Sequence, residues 1–156
     1  MTGIGPVVLD GVEGVRGAAG RHLGYSDWME ITQERVNQFA EATGDFQWIH
    51  VDVERARRES PYGGPIAHGY LTLSLSNLLV PTVVTTKGFS LAINYGVDRV
   101  RFPAAVPVGA RVRAGVEVVE VTDVTGGIQT KMLITMEIEG ADKPACVIES
   151  LSRWMV

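Results

Sequence analysis

The first half of the chain carries apolar residues at helical spacing. Between residues 32 and 44 they recur at i, i+3, i+4 and i+7, which predicts a helix with one buried stripe. The stripe consists of Val36, Phe39, Ala40 and Thr43. Thr32 is a suitable N-cap for this helix, and Gly44 stands where a C-terminal glycine would end it. Asp45 is therefore expected in the turn just past the helix.

Two more helices are predicted further along. Asp52 is a candidate N-cap for a short helix that ends at Arg58, and residues 60–65 form a loop. A longer helix runs over residues 68–80, and we expect Pro81 to stop it. Apolar side chains lie on all sides of this helix, which predicts that most of its surface is buried. They are Tyr70, Leu71, Leu73, Leu75, Leu78 and Leu79.

The second half of the chain has the character of strands. Four are predicted, and a turn over residues 123–127 joins the second to the third as a hairpin. Their ranges are 94–102, 110–121, 128–138 and 145–155. In the third strand apolar and polar residues alternate, which is typical of a sheet with one face toward water. Its apolar face holds Ile128, Met132, Ile134, Met136 and Ile138.

This order of elements indicates an α+β fold, because the helices come first and an antiparallel sheet follows. One apolar helix facing several long strands suggests a sheet wrapped around that helix. Residues 1–24 are rich in glycine and are expected to form an irregular lead-in with one short strand. Since no repeat or linker divides the chain, we expect one domain over residues 1–156.

Composition excludes several classes of protein. The 156 residues are 46% hydrophobic, and the net charge of −4 argues against a nucleic-acid binder. The single cysteine, Cys146, excludes an intrachain disulfide and a cysteine-based zinc site, and we interpret it as a small apolar residue in a strand. We expect no signal peptide and no membrane span, and therefore a soluble cytoplasmic protein.

Asp45 and His50 are the first candidates for chemistry. A carboxylate and an imidazole five residues apart, past a helix end, are suited to holding and activating a water molecule. The alternative is a helix-end aspartate beside a structural histidine, and the spacing alone does not decide between the two.

Gly69 is the second candidate, because it opens the long helix. Backbone N–H groups in a first helical turn have no intrahelical partner, and glycine lets a ligand oxygen approach closely. A thioester carbonyl placed there would be polarised. The alternative is a glycine needed for tight packing. His68 beside it is either a structural histidine or part of the site.

Other residues have weaker signals. Trp48 either lines an apolar tunnel or belongs to the core, and Tyr62 sits on the loop that would cover the site.

Arg55, Arg57 and Arg58 form either a solvated helix face or a contact with the phosphates of coenzyme A. Lys87, Arg99 and Arg101 are rival candidates for that contact. Three dispersed histidines give no metal triad, so no metal site is predicted.

Two segments of the chain resemble a known family. Residues 39–52 (FAEATGDFQWIHVD) and 61–75 (PYGGPIAHGYLTLSL) are similar to the hydratase motif of MaoC-like (R)-specific enoyl-CoA hydratases. Residues 94–103 (NYGVDRVRFP) and 106–109 (VPVG) resemble the strand and turn that follow in that family. The similarity runs from about Leu23 to the C-terminus.

The resemblance implies a hot-dog fold, an antiparallel sheet wrapped around one long helix, in a homodimer with active sites near the subunit interface. It implies that water adds to a trans-2-enoyl-CoA to give an (R)-3-hydroxyacyl-CoA, with no cofactor beyond the CoA thioester substrate. The catalytic aspartate and histidine fall on Asp45 and His50, and the oxyanion donor falls on the Gly69 N–H. Which of the pair is the base stays open.

Two departures from the family concern the substrate contacts. Many relatives have Asn-Pro where this chain has Gln47-Trp48, which we interpret as the mark of a subfamily. A serine that lines the site in some relatives falls near Asn77. The candidate substrate-binding residues are Trp48, Tyr62, His68 and Asn77. A hot-dog thioesterase and a non-catalytic acyl-CoA-binding or partner subunit of a dehydratase are the alternative functions.

Overall fold

The computed structural model describes residues 5–156, in five helices and eight strands. The helices are α1 (Gly11–Arg16), α2 (Gln33–Thr43), α3 (Trp48–Val51), α4 (Val53–Glu59) and α5 (Gly69–Val83). The strands are β1 (Val7–Asp10), β2 (Arg21–Tyr25), β3 (Met29–Glu30), β4 (Val84–Lys87), β5 (Leu91–Arg101), β6 (Arg111–Val124), β7 (Gly127–Ile138) and β8 (Cys146–Met155). Within these residues no helix combines the length and apolar character needed to cross a membrane.

One antiparallel sheet dominates the fold. Its strand order is β2-β6-β7-β8-β5, and β3 pairs with β6 beyond the end of β2. Among residues 5–156, strand β5 therefore lies at an edge and pairs only with β8. A second, two-stranded sheet joins β1 to β4 in parallel. All four strands predicted from the sequence are confirmed, as is the hairpin between β6 and β7.

Helix α5 packs against the inner face of this sheet. Leu71, Leu75, Leu79 and Val83 recur every four residues along the helix and are buried. Burial of each leucine contributes about 2 kcal/mol to stability. On the facing strand β7, alternate residues from Ile128 to Ile138 are buried, as the period-2 pattern predicts. The α+β prediction, with the sheet around one helix, is confirmed.

Two details predicted for α5 are wrong. The side chains of Tyr70 and Leu78 are 69% and 50% exposed, because the sheet covers only one side of the helix. Pro81 lies within the last turn, and the helix continues to Val83. Proline removes one backbone hydrogen bond there, but the buried Val83 and the bond from the Val84 N–H to the Val80 carbonyl hold the turn.

The N-terminal segment is more regular than predicted. The lead-in expected over residues 1–24 contains β1, α1 and most of β2, although residues 1–4 lie outside the described part. Leu9, Val15, Ala18 and Leu23 join the core, so tertiary burial supports short elements whose glycine content argues against them.

Helix α2 ends as its sequence predicts and so positions the residue after it. The Thr32 hydroxyl accepts a hydrogen bond from the Arg35 N–H, and Gly44 adopts the left-handed conformation with φ 79°. Val36 and Ala40 are buried, whereas Thr43 is exposed, which corrects the last position of the predicted stripe. Asp45 follows directly and begins the connection to α3.

Candidate active site

His50 lies on the short helix α3, which the sequence analysis did not predict. Its ring is buried, and Nδ1 lies 2.7 Å from the backbone carbonyl oxygen of Ile66. The side-chain amide of Gln33 on α2 donates to the backbone carbonyl of His50 at 2.8 Å. These two hydrogen bonds fix the imidazole between α2 and the segment that leads into α5.

The surroundings of His50 favour its neutral form. Burial lowers its pKa below the ordinary value of 6.5, and the neighbouring His68 lowers the pKa further. The hydrogen bond to Ile66 and the charge of Asp45 act in the opposite direction. Because a carbonyl oxygen only accepts, Nδ1 carries the proton of the neutral ring and Nε2 presents a lone pair.

Asp45 stands at the exit of α2 with its side chain open to solvent. Its Oδ1 accepts a hydrogen bond from the Gln47 N–H at 3.3 Å, which forms an Asx turn. One carboxylate oxygen of Asp45 and one ring nitrogen each of His50 and His68 lie within 4.8 Å of one another. The fold therefore brings the predicted Asp-His pair together.

His68 completes this cluster. It is the N-cap residue of α5, and its side chain is 2% exposed. Its Nε2 lies 2.9 Å from the backbone carbonyl oxygen of Asp45. Its ring stacks on that of His50 with 3.9 Å between the centroids and 25° between the planes.

Two histidines and a carboxylate also form a possible metal-ligand set. The stacking argues against this, because a metal ion binds an imidazole nitrogen in the plane of the ring. Two nearly parallel stacked rings hold their lone pairs in two separate, nearly parallel planes, so one metal ion cannot lie in the plane of both rings. This geometry is better suited to holding protons and water.

Gly69 opens α5 directly after His68. The first backbone hydrogen bond of the helix is donated by the Thr72 N–H to the His68 carbonyl, so the Gly69 N–H has no partner within the helix. A Cβ added at Gly69 would lie 3.1 Å from the ring of Phe102. The contact with Phe102 gives a packing reason for glycine at this position, and the Gly69 N–H stays a candidate donor.

His50 and Gly69 face the same cavity of about 350 Å³. Tyr62, Ile66, Ala67, Thr72 and Phe102 line it as well, together with residues 103–106 and Ala145. A proton acceptor and a helix N-terminal donor therefore face one largely apolar space. This arrangement can activate water beside a polarised carbonyl.

Of the predicted substrate-binding residues, Tyr62 lines the cavity that His50 and Gly69 face, whereas Trp48 does not. Tyr62 is exposed on the loop and lines this cavity. Trp48 is half-buried, and the guanidinium of Arg55 lies 4.3 Å from the centroid of its ring. Neither Trp48 nor His68 is among the described residues that line the cavity.

Asn77 lies more than two helical turns along α5, in a different cavity of about 150 Å³. Its Oδ1 accepts a hydrogen bond from the Asn94 side chain at 3.0 Å, which ties α5 to the edge strand β5. Within one chain, Asn77 is thus separated from the site that contains His50.

Three residues of the site were missed by the sequence analysis. Ile66 acts through its backbone carbonyl, which leaves no side-chain signal. Phe102 packs over Gly69 from the end of β5, and only the tertiary fold reveals that contact. Thr72 is buried and follows His68 by four residues, so helical spacing offered a signal for it.

The basic cluster on α4 forms local ion pairs. Arg55 pairs with Glu59 at 3.0 Å, and Arg57 pairs with Glu54 at 3.4 Å. All four side chains are substantially exposed, which favours the interpretation as a solvated helix face. Arg57 also lines a cavity that shares Tyr62 with the His50 cavity.

Comparisons with known proteins agree with this fold. The family described as "MaoC like domain" matches residues 15–139. The chain is 53% identical over 148 residues to "3-hydroxyacyl-thioester dehydratase Z" of Mycobacterium tuberculosis, covering 94% of this chain and 97% of that protein.

Two solved structures are similar in fold. A monoamine oxidase regulatory protein from Archaeoglobus fulgius matches with a TM-score of 0.77 at 23% identity, over 97% of both chains. The R-hydratase PhaJ1 from Pseudomonas aeruginosa, in its unliganded form, matches with a TM-score of 0.71 at 23% identity, over 88% of this chain and 81% of that one. The fold is the hot-dog fold, and the chain belongs to the MaoC-like dehydratase family.

Proposed function

We propose that this protein catalyses the reversible hydration of trans-2-enoyl-CoA to (R)-3-hydroxyacyl-CoA. The observation that carries the proposal is that His50 and Gly69 face one cavity while the Asp45 carboxylate lies beside His50. The dehydratase named above, which shares 53% identity with this chain, supports a 3-hydroxyacyl thioester as the substrate class.

In the proposed reaction, Asp45 and His50 hold one water molecule over C3 of the enoyl chain. Nε2 of His50 takes one proton from the water as its oxygen bonds to C3. The electron pair of the double bond moves toward the thioester, and the oxygen of the resulting enolate accepts a hydrogen bond from the Gly69 N–H. The proton on Nε2 then passes to C2, which completes the addition of H and OH.

This assignment makes His50 the base and gives Asp45 a supporting part. His50 has its Nδ1 proton engaged by Ile66, so its free lone pair is on the atom that must accept a proton. The Asp45 carboxylate orients the water and stabilises the imidazolium that forms. The steps need no cofactor besides the thioester itself.

We also propose that the protein functions as a homodimer through β5 and the exposed side of α5. Strand β5 is a long edge strand with one side unpaired in the described part of the chain, and several of its apolar side chains are exposed. They are Leu91, Ile93, Tyr95 and Val97. The exposed Tyr70 and Leu78 extend this surface along α5. A partner over this surface would bury side chains that one chain leaves in water.

The test is loss of enoyl-thioester absorbance when the purified protein meets trans-2-enoyl-CoA substrates of short, medium and long chain. We expect turnover to the (R)-3-hydroxy product without release of free thiol. Thiol release would indicate a thioesterase instead. Tight binding without turnover at any chain length would overturn the proposal in favour of a non-catalytic subunit.

A further inference from the structure

His68 contacts both members of the proposed catalytic pair, from a position that does not face the cavity. Its Nε2 lies 2.9 Å from the Asp45 carbonyl oxygen, and its ring stacks on the ring of His50. The ring of Phe39 also lies near His68, with 4.9 Å between the centroids. A substrate in the cavity meets His50, whereas His68 is almost wholly buried.

The hydrogen bond fixes the tautomer of His68. Because the Asp45 carbonyl only accepts, Nε2 carries the proton when the His68 ring is neutral, and Nδ1 then has a lone pair. Nδ1 is buried and has no hydrogen-bond partner among residues 5–156. A buried nitrogen without a partner is unfavourable, so a residue required only for packing would be better served by an apolar ring.

Capping of helix α5 also does not explain why residue 68 is a histidine. Although His68 is the N-cap residue of α5, its side chain makes no capping hydrogen bond to the described first turn. It reaches instead across 23 positions of sequence to the segment that carries Asp45.

We propose that His68 is a positioning residue, which holds the Asp45 turn through its Nε2–H and the His50 imidazole through ring stacking. This inference rests on the proposed hydratase function. Asp45 is on an exposed turn, and the bond from His68 ties the backbone of that turn to the start of α5. The same residue directly precedes Gly69. His68 therefore links the positions of the Asp45 turn, the His50 ring and the proposed oxyanion donor.

The stacked rings also restrict protonation of His50. Two imidazolium ions at this separation repel each other, and the presence of His68 contributes to the lowered pKa of His50. Asp45 is the other charged group that affects His50, and its carboxylate acts in the opposite direction. Removing the imidazole of His68 therefore moves the pKa of His50 upward.

Two variants separate the two contacts. His68→Gln keeps an amide N–H near the place of Nε2 and loses the ring, while His68→Phe keeps a ring against His50 and loses the donor. For His68→Phe we expect kcat to fall by about 10-fold to 100-fold with KM changed less than about 2-fold, since small misplacement of catalytic groups has effects of this size. His68→Gln should retain more of kcat, because it rescues the bond to Asp45. In both, the acid limb of the kcat profile should move to higher pH.

A second measurement does not depend on turnover. The histidines are labelled with ¹⁵N, and the pKa of the His50 ring is followed by NMR in the native protein and in both variants, which keep His50 and the exposed His22. We expect the pKa of His50 to rise in each variant.

An unchanged His50 pKa together with wild-type kcat in His68→Phe would overturn the positioning role. A loss of kcat that merely follows a loss of folded protein, equal in both variants, would overturn it as well. Absence of turnover by the native protein would instead contradict the hydratase proposal, and the NMR titration would still decide whether His68 acts on His50.

Discussion

The Nδ1 atom of His50 lies 2.7 Å from the backbone carbonyl oxygen of Ile66. This bond orients the imidazole and leaves the Nε2 lone pair for chemistry. Ile66 is two residues before His68, so the segment that leads into α5 both orients the base and presents the Gly69 donor.

Replacement of either member of the pair should abolish most of the activity. For Asp45→Asn and His50→Gln we expect kcat to fall by about 10² to 10⁴, the usual range for loss of a general acid or base. The enoyl-thioester assay measures kcat, and circular dichroism checks the fold. The matched controls are Asp142→Asn and His22→Gln, both at exposed positions, which should stay near wild type. Near-wild-type turnover of either site variant would refute its assigned role.

Stability should fall as the pH drops below the ordinary histidine pKa. His50 has a lowered pKa in the folded chain, mainly because it is buried. Below about pH 6.5 the unfolded chain therefore binds a proton that the folded chain does not, and the free energy of unfolding decreases until the folded pKa is passed. At higher pH His50 is neutral in both the folded and the unfolded chain, so its contribution to the free energy of unfolding is constant.

Thermal unfolding between about pH 5 and pH 7.5 measures this effect. The Tm of His50→Gln should decline less steeply with falling pH than the Tm of the native protein. Parallel curves for the two proteins would contradict the lowered pKa of His50.

Gly69→Ala should impair catalysis more than folding. The added Cβ would meet the Phe102 ring at 3.1 Å, so the ring or the start of α5 must move by a few tenths of an ångström. Helix propensity favours alanine and offsets part of the cost in stability. We expect kcat to fall by at least about 10-fold, since the oxyanion donor is displaced.

Gly64→Ala is the matched control, because a Cβ there meets no atom within 4 Å in the described chain. The double variant Gly69→Ala, Phe102→Leu should recover part of the lost kcat by relieving the contact. Full activity in Gly69→Ala alone would show that this donor does not need its observed position.

A charge on the edge strand should separate the proposed dimer. Val97 on β5 is 50% exposed in the single chain, and Val97→Lys would place an ammonium group in the proposed interface. We expect a halved mass by light scattering and a loss of activity. Val119→Lys on β6 is the control, since Val119 is 44% exposed and lies far from β5 in the strand order. An intact dimer in Val97→Lys would place the interface elsewhere.

Cys146 should be inert in the folded protein. Its side chain is fully buried at the start of β8, and this burial raises the pKa of the thiol to about 11. Since the thiolate is the reactive form, we expect no labelling by an aromatic disulfide reagent at about pH 8 until denaturant is added. Rapid labelling of the native protein would contradict the burial.

The sequence determined the features that depend on neighbours within a few positions. Thr32 and Gly44 bound α2 because each cap involves groups only three or four residues away, and the alternation along β7 records which face of the strand is buried. The motif around Asp45 and His50 also identified the family, because its residue types and spacing are read directly from the chain.

Only the tertiary structure decided what those residues touch. The stack of His68 on His50 and the bond from His50 to Ile66 join groups 16 to 18 positions apart, and no local pattern encodes them. The exposure of Tyr70 and the separation of Asn77 from His50 follow from which side of α5 the sheet covers. Such contacts depend on how a long sheet curls around a helix. That curl is the summed result of many weak interactions along the whole chain, whereas a cap or an alternating strand is set by a few neighbouring residues.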